Sequence, residues 1–121
     1  MRAIALAALC LSTAALAQDA PARVEVRLSS FDFAPSTIRL AAGRPVVLHL
    51  VNGGRGGHNF SAPEFFASAR DVSGPVRDGT VEVPGRQSAD IRLVPARGTY
   101  SLRCTHTLHT AFGMTGEIVV E

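Results

Sequence analysis

Residues 98–121 read GTYSLRCTHTLHTAFGMTGEIVVE, and the fold assignment starts from this stretch. Residues 98–104 and 116–121 both have an extended, alternating pattern, through Leu102 in the first and through Ile118 and Val120 in the second. Such alternation is typical of a half-buried β-strand. No Asp, Glu, Lys or Arg occurs between Cys104 and Met114. The end of the chain is therefore predicted to be two strands joined by an uncharged loop.

Similar strand patterns recur upstream at regular spacing. The most hydrophobic is VVLHLV at 46–51, where alternation places Val46, Leu48 and Leu50 on one face and His49 on the other. Further strands are predicted at 23–28, 37–40, 81–83 and 88–94, and a helix of one or two turns at 63–70. Seven or eight short strands with at most one short helix predict an all-β fold. A two-sheet Greek-key β-sandwich is the preferred architecture, and a small barrel is the alternative.

The first residues have the features of an export signal. A positive charge at Arg2 precedes the apolar run 3–15, and Ala-Leu-Ala at 15–17 has the form of a signal-peptidase site. The run is shorter than the roughly 20 residues that span a bilayer. We therefore predict that 1–17 is a cleaved signal peptide, that 18–121 is a single domain without a membrane anchor, and that the protein is exported to the periplasm.

The charge of the chain is nearly balanced. Twelve basic residues, all arginine, stand against ten acidic residues, and the formal net charge is +2. A nucleic-acid-binding domain usually shows a clustered basic face, so the composition argues against a nucleic-acid partner. We expect a monomer.

Cysteine usage is the first chemical signal. Cys10 lies within the predicted signal peptide, which leaves Cys104 as the single cysteine of the exported chain. Exported proteins usually pair their thiols in disulfides. A solitary thiol is therefore a buried core residue, an intermolecular link, a nucleophile or a metal ligand.

The residues around Cys104 favour the metal ligand. His106, His109 and Met114 follow it within ten positions, and His58 lies upstream, in a separate predicted loop after a strand. A thiolate, two imidazoles and a thioether are the ligand set of a mononuclear copper electron-transfer site. Nucleophilic catalysis by Cys104 with His58 or His109 is the rival hypothesis, but no nucleophile signature surrounds the cysteine. The chain has four histidines, too few for the additional centres of a multicopper enzyme, so we predict no catalytic residues and no enzymatic activity.

The second imidazole has two candidates within the loop. From the residues alone His106 and His109 both remain open; His106 is interpreted as an exposed loop residue, with a looser Cys104–His106 site as the alternative. His49 lies opposite the apolar face of its strand and is interpreted as a surface residue. Met114 alone would be read as core packing, but its position after Cys104 and His109 favours a ligand.

The same residues carry a family resemblance. The segment GHNF at 57–60, the pattern Cys-x4-His-x4-Met at 104–114 and the ending GMTGEIVV at 113–120 resemble the cupredoxins, the small type 1 (blue) copper proteins such as azurins, plastocyanins and auracyanins. The resemblance covers essentially the whole chain after the signal. Departures from the family pattern are Thr107 and Leu108 before the second histidine, where many members have proline or glycine, and the extra imidazole of His106.

The resemblance implies one copper per chain, a ligand set and a function. Its metal ligands would be His58, Cys104, His109 and Met114. Asn59 would fasten the His58 segment to the Cys104 loop, and the carbonyl of Gly57 would approach the copper. A soluble one-electron carrier is implied, with a small soluble redox protein such as a cytochrome as its partner. The alternative is a periplasmic carrier that hands copper to a copper-accepting protein, because the same fold hosts both roles.

Overall fold

Ten β-strands and one short helix occur in the part of the chain that the computed structural model describes, residues 20–29, 31–106 and 113–121. The elements are β1 (Ala22–Ser29), β2 (Asp32–Ala34), β3 (Thr37–Leu40), β4 (Val46–Val51), β5 (His58–Ser61), α1 (Pro63–Ser68), β6 (Arg70–Ser73), β7 (Thr80–Val83), β8 (Ser88–Val94), β9 (Gly98–Arg103) and β10 (Thr115–Val120). The predicted signal peptide, 1–17, lies outside the described residues. No helix within them is long and apolar enough to cross a membrane.

The strands form two five-stranded sheets. The first sheet has the order β2-β1-β4-β8-β6, and the second has the order β3-β10-β9-β5-β7. β1 pairs with β4 and β3 with β10 in parallel, while the other pairs are antiparallel. The all-β, two-sheet sandwich with one short helix that the sequence predicts is therefore confirmed.

The core lies between the two sheets and follows the predicted alternation. In β4, Val46, Leu48 and Leu50 are buried, while the residues between them, His49 included, are half-exposed. The first sheet also contributes Val26, Leu28, Ile91 and Leu93, and the second sheet contributes Ile38, Phe60, Val81, Leu102 and Ile118. Apolar side chains on the inner faces of these strands thus produce one continuous core.

Helix α1 covers one end of this core. Pro63 stands in its first turn, where its missing N–H costs nothing, and Phe65 and Phe66 are buried. Phe66 contacts Phe60 edge-on with 6.0 Å between ring centres, and Phe65 contacts Tyr100 at 5.5 Å. The predicted helix is confirmed, but it ends at Ser68. Residues 70–73 form β6 instead and pair with β8 at the edge of the first sheet.

The segment that begins with His58 corrects the sequence-based prediction. It was expected to be a loop, but residues His58–Ser61 form β5, between β7 and β9. All four residues are buried, although three of them are polar. Both faces of the strand are covered, because Phe60 packs in the core while Ser61 bonds through its hydroxyl to that of Thr80 at 2.9 Å. A strand of this kind shows no apolar alternation in the sequence.

Two valines in neighbouring strands test which face of the first sheet is the core. Val26 is fully buried, whereas Val47 is half-exposed on the opposite face. We expect Val26→Ala to lower the free energy of unfolding by about 2 kcal/mol, from lost burial and the cavity left behind. Val47→Ala should cost about 0.5 kcal/mol, as surface changes usually do. Urea denaturation of both variants checks this, and equal losses would contradict the assignment of faces.

Candidate metal centre

Three of the predicted ligands lie at the same end of the second sheet and face the core. Directly opposite residues in a ladder share a face, and His58 stands opposite the buried Val83. Cys104 follows β9 two positions after the buried Leu102, and Met114 precedes β10 four positions before the buried Ile118. Side chains two or four positions apart in a strand share a face. Because side chains alternate along the strands, the imidazole of His58, the thiol of Cys104 and the thioether of Met114 all point into the same end of the sandwich.

Backbone hydrogen bonds join the three segments. The N–H of Asn59, next to His58, donates to the Sγ of Cys104 with 3.4 Å between the two atoms. The N–H of Cys104 donates to the carbonyl oxygen of Met114 at 3.1 Å. The second bond extends the β9–β10 ladder by one step, past Arg103 opposite Thr115. It joins Cys104 to Met114, the two residues between which His109 lies in the sequence.

The side chain of Asn59 fastens β5 to the residue that follows Cys104. Its Oδ1 accepts the N–H of Thr105 at 2.8 Å, and its Nδ2 donates to the Oγ1 of Thr105 at 2.7 Å and to the Oε1 of Glu82 at 2.9 Å. Both amide hydrogens thus have acceptors, as a buried side chain requires. The expected role of Asn59 as the fastener of these two segments is confirmed.

Asn52 holds the loop that leads into His58. It is buried, and its Nδ2 donates to the carbonyl oxygens of Gly56 at 2.8 Å and Val83 at 3.0 Å. Its Oδ1 accepts the N–H of Gly54 at 3.0 Å. Asn52 directly follows the strand predicted at 46–51, and its bonds to the loop were not predicted. The available signal was an asparagine at the entry to a glycine-rich loop, where its side chain commonly bonds nearby backbone.

The same loop packs tightly against the turn after β7. A Cβ atom at Gly85 would lie 2.1 Å from the carbonyl oxygen of Arg55, closer than real contacts allow. The N–H of Arg86 donates to the carbonyl oxygen of Gly54 at 2.9 Å. Only glycine fits at position 85, and the close approach fixes the backbone before Gly57 and His58.

His106 is bonded to Glu82, which was not among the predicted site residues. The Nε2 of His106 lies 2.9 Å from the Oε2 of Glu82, and about a third of the imidazole is exposed. The expectation of an exposed loop histidine is therefore only partly right. Partial burial tends to raise the pKa of Glu82, but hydrogen bonds from Asn59 and His106 and the charge of His106 outweigh it and lower that pKa. Glu82 is thus ionised at neutral pH.

His49 lies away from these residues, on the outer face of the first sheet. Its Nδ1 bonds to the carboxylate of Asp90 in the neighbouring strand, and its ring is about a quarter exposed. The structure thus places His49 on the face that the alternation predicted.

The donor set of the described residues fits copper, although it is not complete within them. His58 is 7% exposed and Cys104 and Met114 are fully buried, which brings a nitrogen donor and two soft sulfur donors together. In residues 20–29, 31–106 and 113–121, no group of three His, Cys, Asp or Glu could hold a metal ion. A thioether is not among those residue types, and the predicted ligand His109 lies in 107–112, outside the described residues, as do Leu108 and Phe112.

Comparison with solved structures gives close agreement in fold. An auracyanin B structure shares 26% identity, with 84% of this chain and 91% of that chain covered and a TM-score of 0.65. Auracyanin A, described as a "blue" copper protein from the green thermophilic photosynthetic bacterium Chloroflexus aurantiacus, shares 19% identity over 84% of this chain and all of that chain, with a TM-score of 0.61.

A larger protein contains the same fold. A multicopper oxidase from the hyperthermophile Aquifex aeolicus matches with 17% identity and a TM-score of 0.62, over 86% of this chain but 30% of that chain. At this identity, and at that of auracyanin A, the likeness concerns the fold alone. No match is found among curated proteins. The family model for the cupredoxin-like domain matches residues 1–120, and the chain belongs to that family.

Proposed function

We propose that the protein is a blue copper electron carrier that binds one copper through His58, Cys104, His109 and Met114. The observation that carries the proposal is the convergence of His58, Cys104 and Met114, all buried, at one end of the second sheet. The loop between Cys104 and Met114 supplies the second imidazole in its sequence. The fold shared with auracyanins supports the same function.

The chemistry of the donors suits one-electron transfer. When bound, the copper supplies a Cu(II)/Cu(I) couple. Thiolate and thioether sulfur favour the reduced ion, while imidazole binds both oxidation states. The Asn59 N–H donates toward the sulfur of Cys104, and hydrogen bonds at this sulfur tune the redox potential. The surrounding bonds fix the ligand segments, which keeps the change of structure between oxidation states small.

The location and partner follow from the sequence and are part of the proposal. The export signal predicted at 1–17 supports a periplasmic location, in which a small soluble redox protein such as a cytochrome would be the partner. Residues 107–112, which lie outside the described residues, include Leu108, Ala111 and Phe112 and no charged residue, and we expect them to offer an uncharged surface for docking. Interfaces between redox proteins are small and short-lived, and an apolar, uncharged rim suits them. No catalytic residue is assigned.

Copper handling is the second candidate. The observation that favours it is the extra imidazole of His106, two residues after Cys104 and beside the site. A carrier that hands copper to an accepting protein needs ligands that can exchange, and an additional imidazole near the metal would serve such an exchange.

The identity of the thiolate is tested by Cys104→Ser. We expect the wild-type protein to bind one Cu(II) per chain and to show an intense thiolate-to-copper charge-transfer band. The serine variant should lose the band completely, because a hydroxyl cannot supply the sulfur donor. Titration with Cu(II), followed by absorption spectroscopy, measures both. A serine variant that kept the colour and the stoichiometry would show that the site is misassigned.

The second imidazole is tested by a matched pair of variants. His109→Ala should abolish the coloured site or open it to external ligands such as added imidazole. His106→Ala should leave the spectrum nearly unchanged, because the ring bonds to Glu82. Absorption and EPR spectra of the two Cu(II) proteins make the comparison. Equal damage from both substitutions would favour the looser Cys104–His106 site and the copper-handling candidate.

Electron transfer and copper handling differ in what reduction does. We expect reversible Cu(II)/Cu(I) cycling with the metal retained in the presence of a Cu(I) chelator. Leu108→Asp or Phe112→Asp should slow electron exchange with a small cytochrome by about tenfold, equivalent to about 1.4 kcal/mol of docking energy, without changing the copper spectrum. Stopped-flow kinetics measures the exchange. Loss of Cu(I) to the chelator on reduction would identify a copper carrier instead.

A further inference from the structure

Glu82 stands at the centre of a hydrogen-bond network outside the predicted ligand set. It lies in β7 between Val81 and Val83, which are both buried, so its side chain points to the outer face of the second sheet. It stands directly opposite Asn59 in the β5–β7 ladder. Its Oε1 accepts from Asn59 and its Oε2 bonds to His106, each at 2.9 Å. One carboxylate therefore holds two different side chains at once.

The imidazole that Glu82 holds lies beside the ligand segments. His106 is two residues after Cys104, and the backbone between them is fixed where the Thr105 N–H donates to Asn59. A Cβ atom at Gly57 would lie 3.4 Å from the Cε1 of His106, which places the ring against the residue before His58. An imidazole is a good ligand for either oxidation state of copper. His106 is thus close enough to the site to compete with the intended ligands.

The bond to Glu82 occupies the Nε2 of His106. An ionised carboxylate only accepts hydrogen bonds, so the Nε2 must carry a hydrogen and donate it to the Oε2. A protonated ring nitrogen has no lone pair in the ring plane to offer a metal. As long as the pair is intact, the Nε2 cannot coordinate copper, which leaves only the Nδ1 as a donor. The bond also holds the Nε2 edge of the ring at Glu82, on the outer face of the second sheet, whereas the predicted ligands face the core.

We propose that Glu82 is a positioning residue that holds His106 out of the copper coordination and so reserves the second imidazole position for His109. The inference rests on the proposed copper function. In this role Glu82 is not itself a ligand; it acts through His106. Its bond to Asn59 anchors the carboxylate, which fixes where the imidazole is held.

Four Cu(II) proteins test the proposal: the wild type, Glu82→Ala, His106→Ala and the double variant. Glu82→Ala should weaken the thiolate-to-copper band and increase the parallel hyperfine splitting in EPR, because an added nitrogen ligand makes the Cu(II) site more tetragonal. The double variant should regain the spectrum of His106→Ala, because the competing imidazole is gone. Glu117→Ala removes a carboxylate from an exposed position on β10 of the same sheet and should match the wild type.

Each contrary result has a distinct meaning. An unchanged spectrum in Glu82→Ala overturns the proposal. A double variant that keeps the altered spectrum of Glu82→Ala also overturns it, because Glu82 would then act through Asn59 alone. A wild-type protein without the thiolate band instead refutes the proposed copper function.

A measurement without copper keeps the proposal testable if Glu82→Ala folds poorly. Nitrogen-15 NMR of the wild-type apoprotein should show His106 with a hydrogen-bonded proton on its Nε2 at neutral pH. A His106 Nε2 without that proton would overturn the proposal regardless of the behaviour of the variants.

Discussion

The end of the sandwich where the predicted ligands lie depends on the buried amide of Asn59. Its backbone N–H reaches the sulfur of Cys104, while its side chain bonds both to Thr105 and to Glu82. A buried amide that loses its partners costs about 1–3 kcal/mol for each unsatisfied group. The strand that begins with His58 is therefore held in one position relative to Cys104 and Thr105.

The hydrogen bonds of Asn59 act on predicted ligands whose direction is set by the alternation of side chains along the strands. A β-strand sends alternate side chains to opposite faces. A residue at or just beyond a strand end therefore lies on the core face if it is an even number of positions from a buried residue of that strand. Cys104 and Met114 do so at the two strands of one hairpin, and His58 does so at the start of β5. The fold delivers the donors, and the hydrogen bonds around Asn59 and Asn52 then fix their approach.

The alternation of apolar residues in the sequence predicted most of the strands. The features held by polar side chains, such as β5 and the contacts of Glu82, were not predicted. The bounds of β4 and β8 follow directly from alternating apolar residues. The predicted ligand set came from the chemistry of sulfur and imidazole together with the family resemblance. The strand β5 was missed because its buried outer face is covered through hydrogen bonds, which leave no apolar pattern. Glu82 was missed for a related reason: its partners lie 23 and 24 positions away in the chain, and only the ladder pairing brings them together.

A rigid end and an exchangeable ligand are opposed requirements, and the observed contacts favour rigidity. The loop before His58 is held by Asn52 and by the close approach of Gly85 to Arg55. A backbone hydrogen bond joins Cys104 to Met114. When the surrounding protein fixes the ligands of a metal site, the reorganisation energy of electron transfer is small, because the ligands move little when the metal changes charge. Copper transfer to another protein would require these bonds to open in turn, since each ligand segment is tied to its neighbour. The network therefore argues for a site that keeps its metal and passes on the electron.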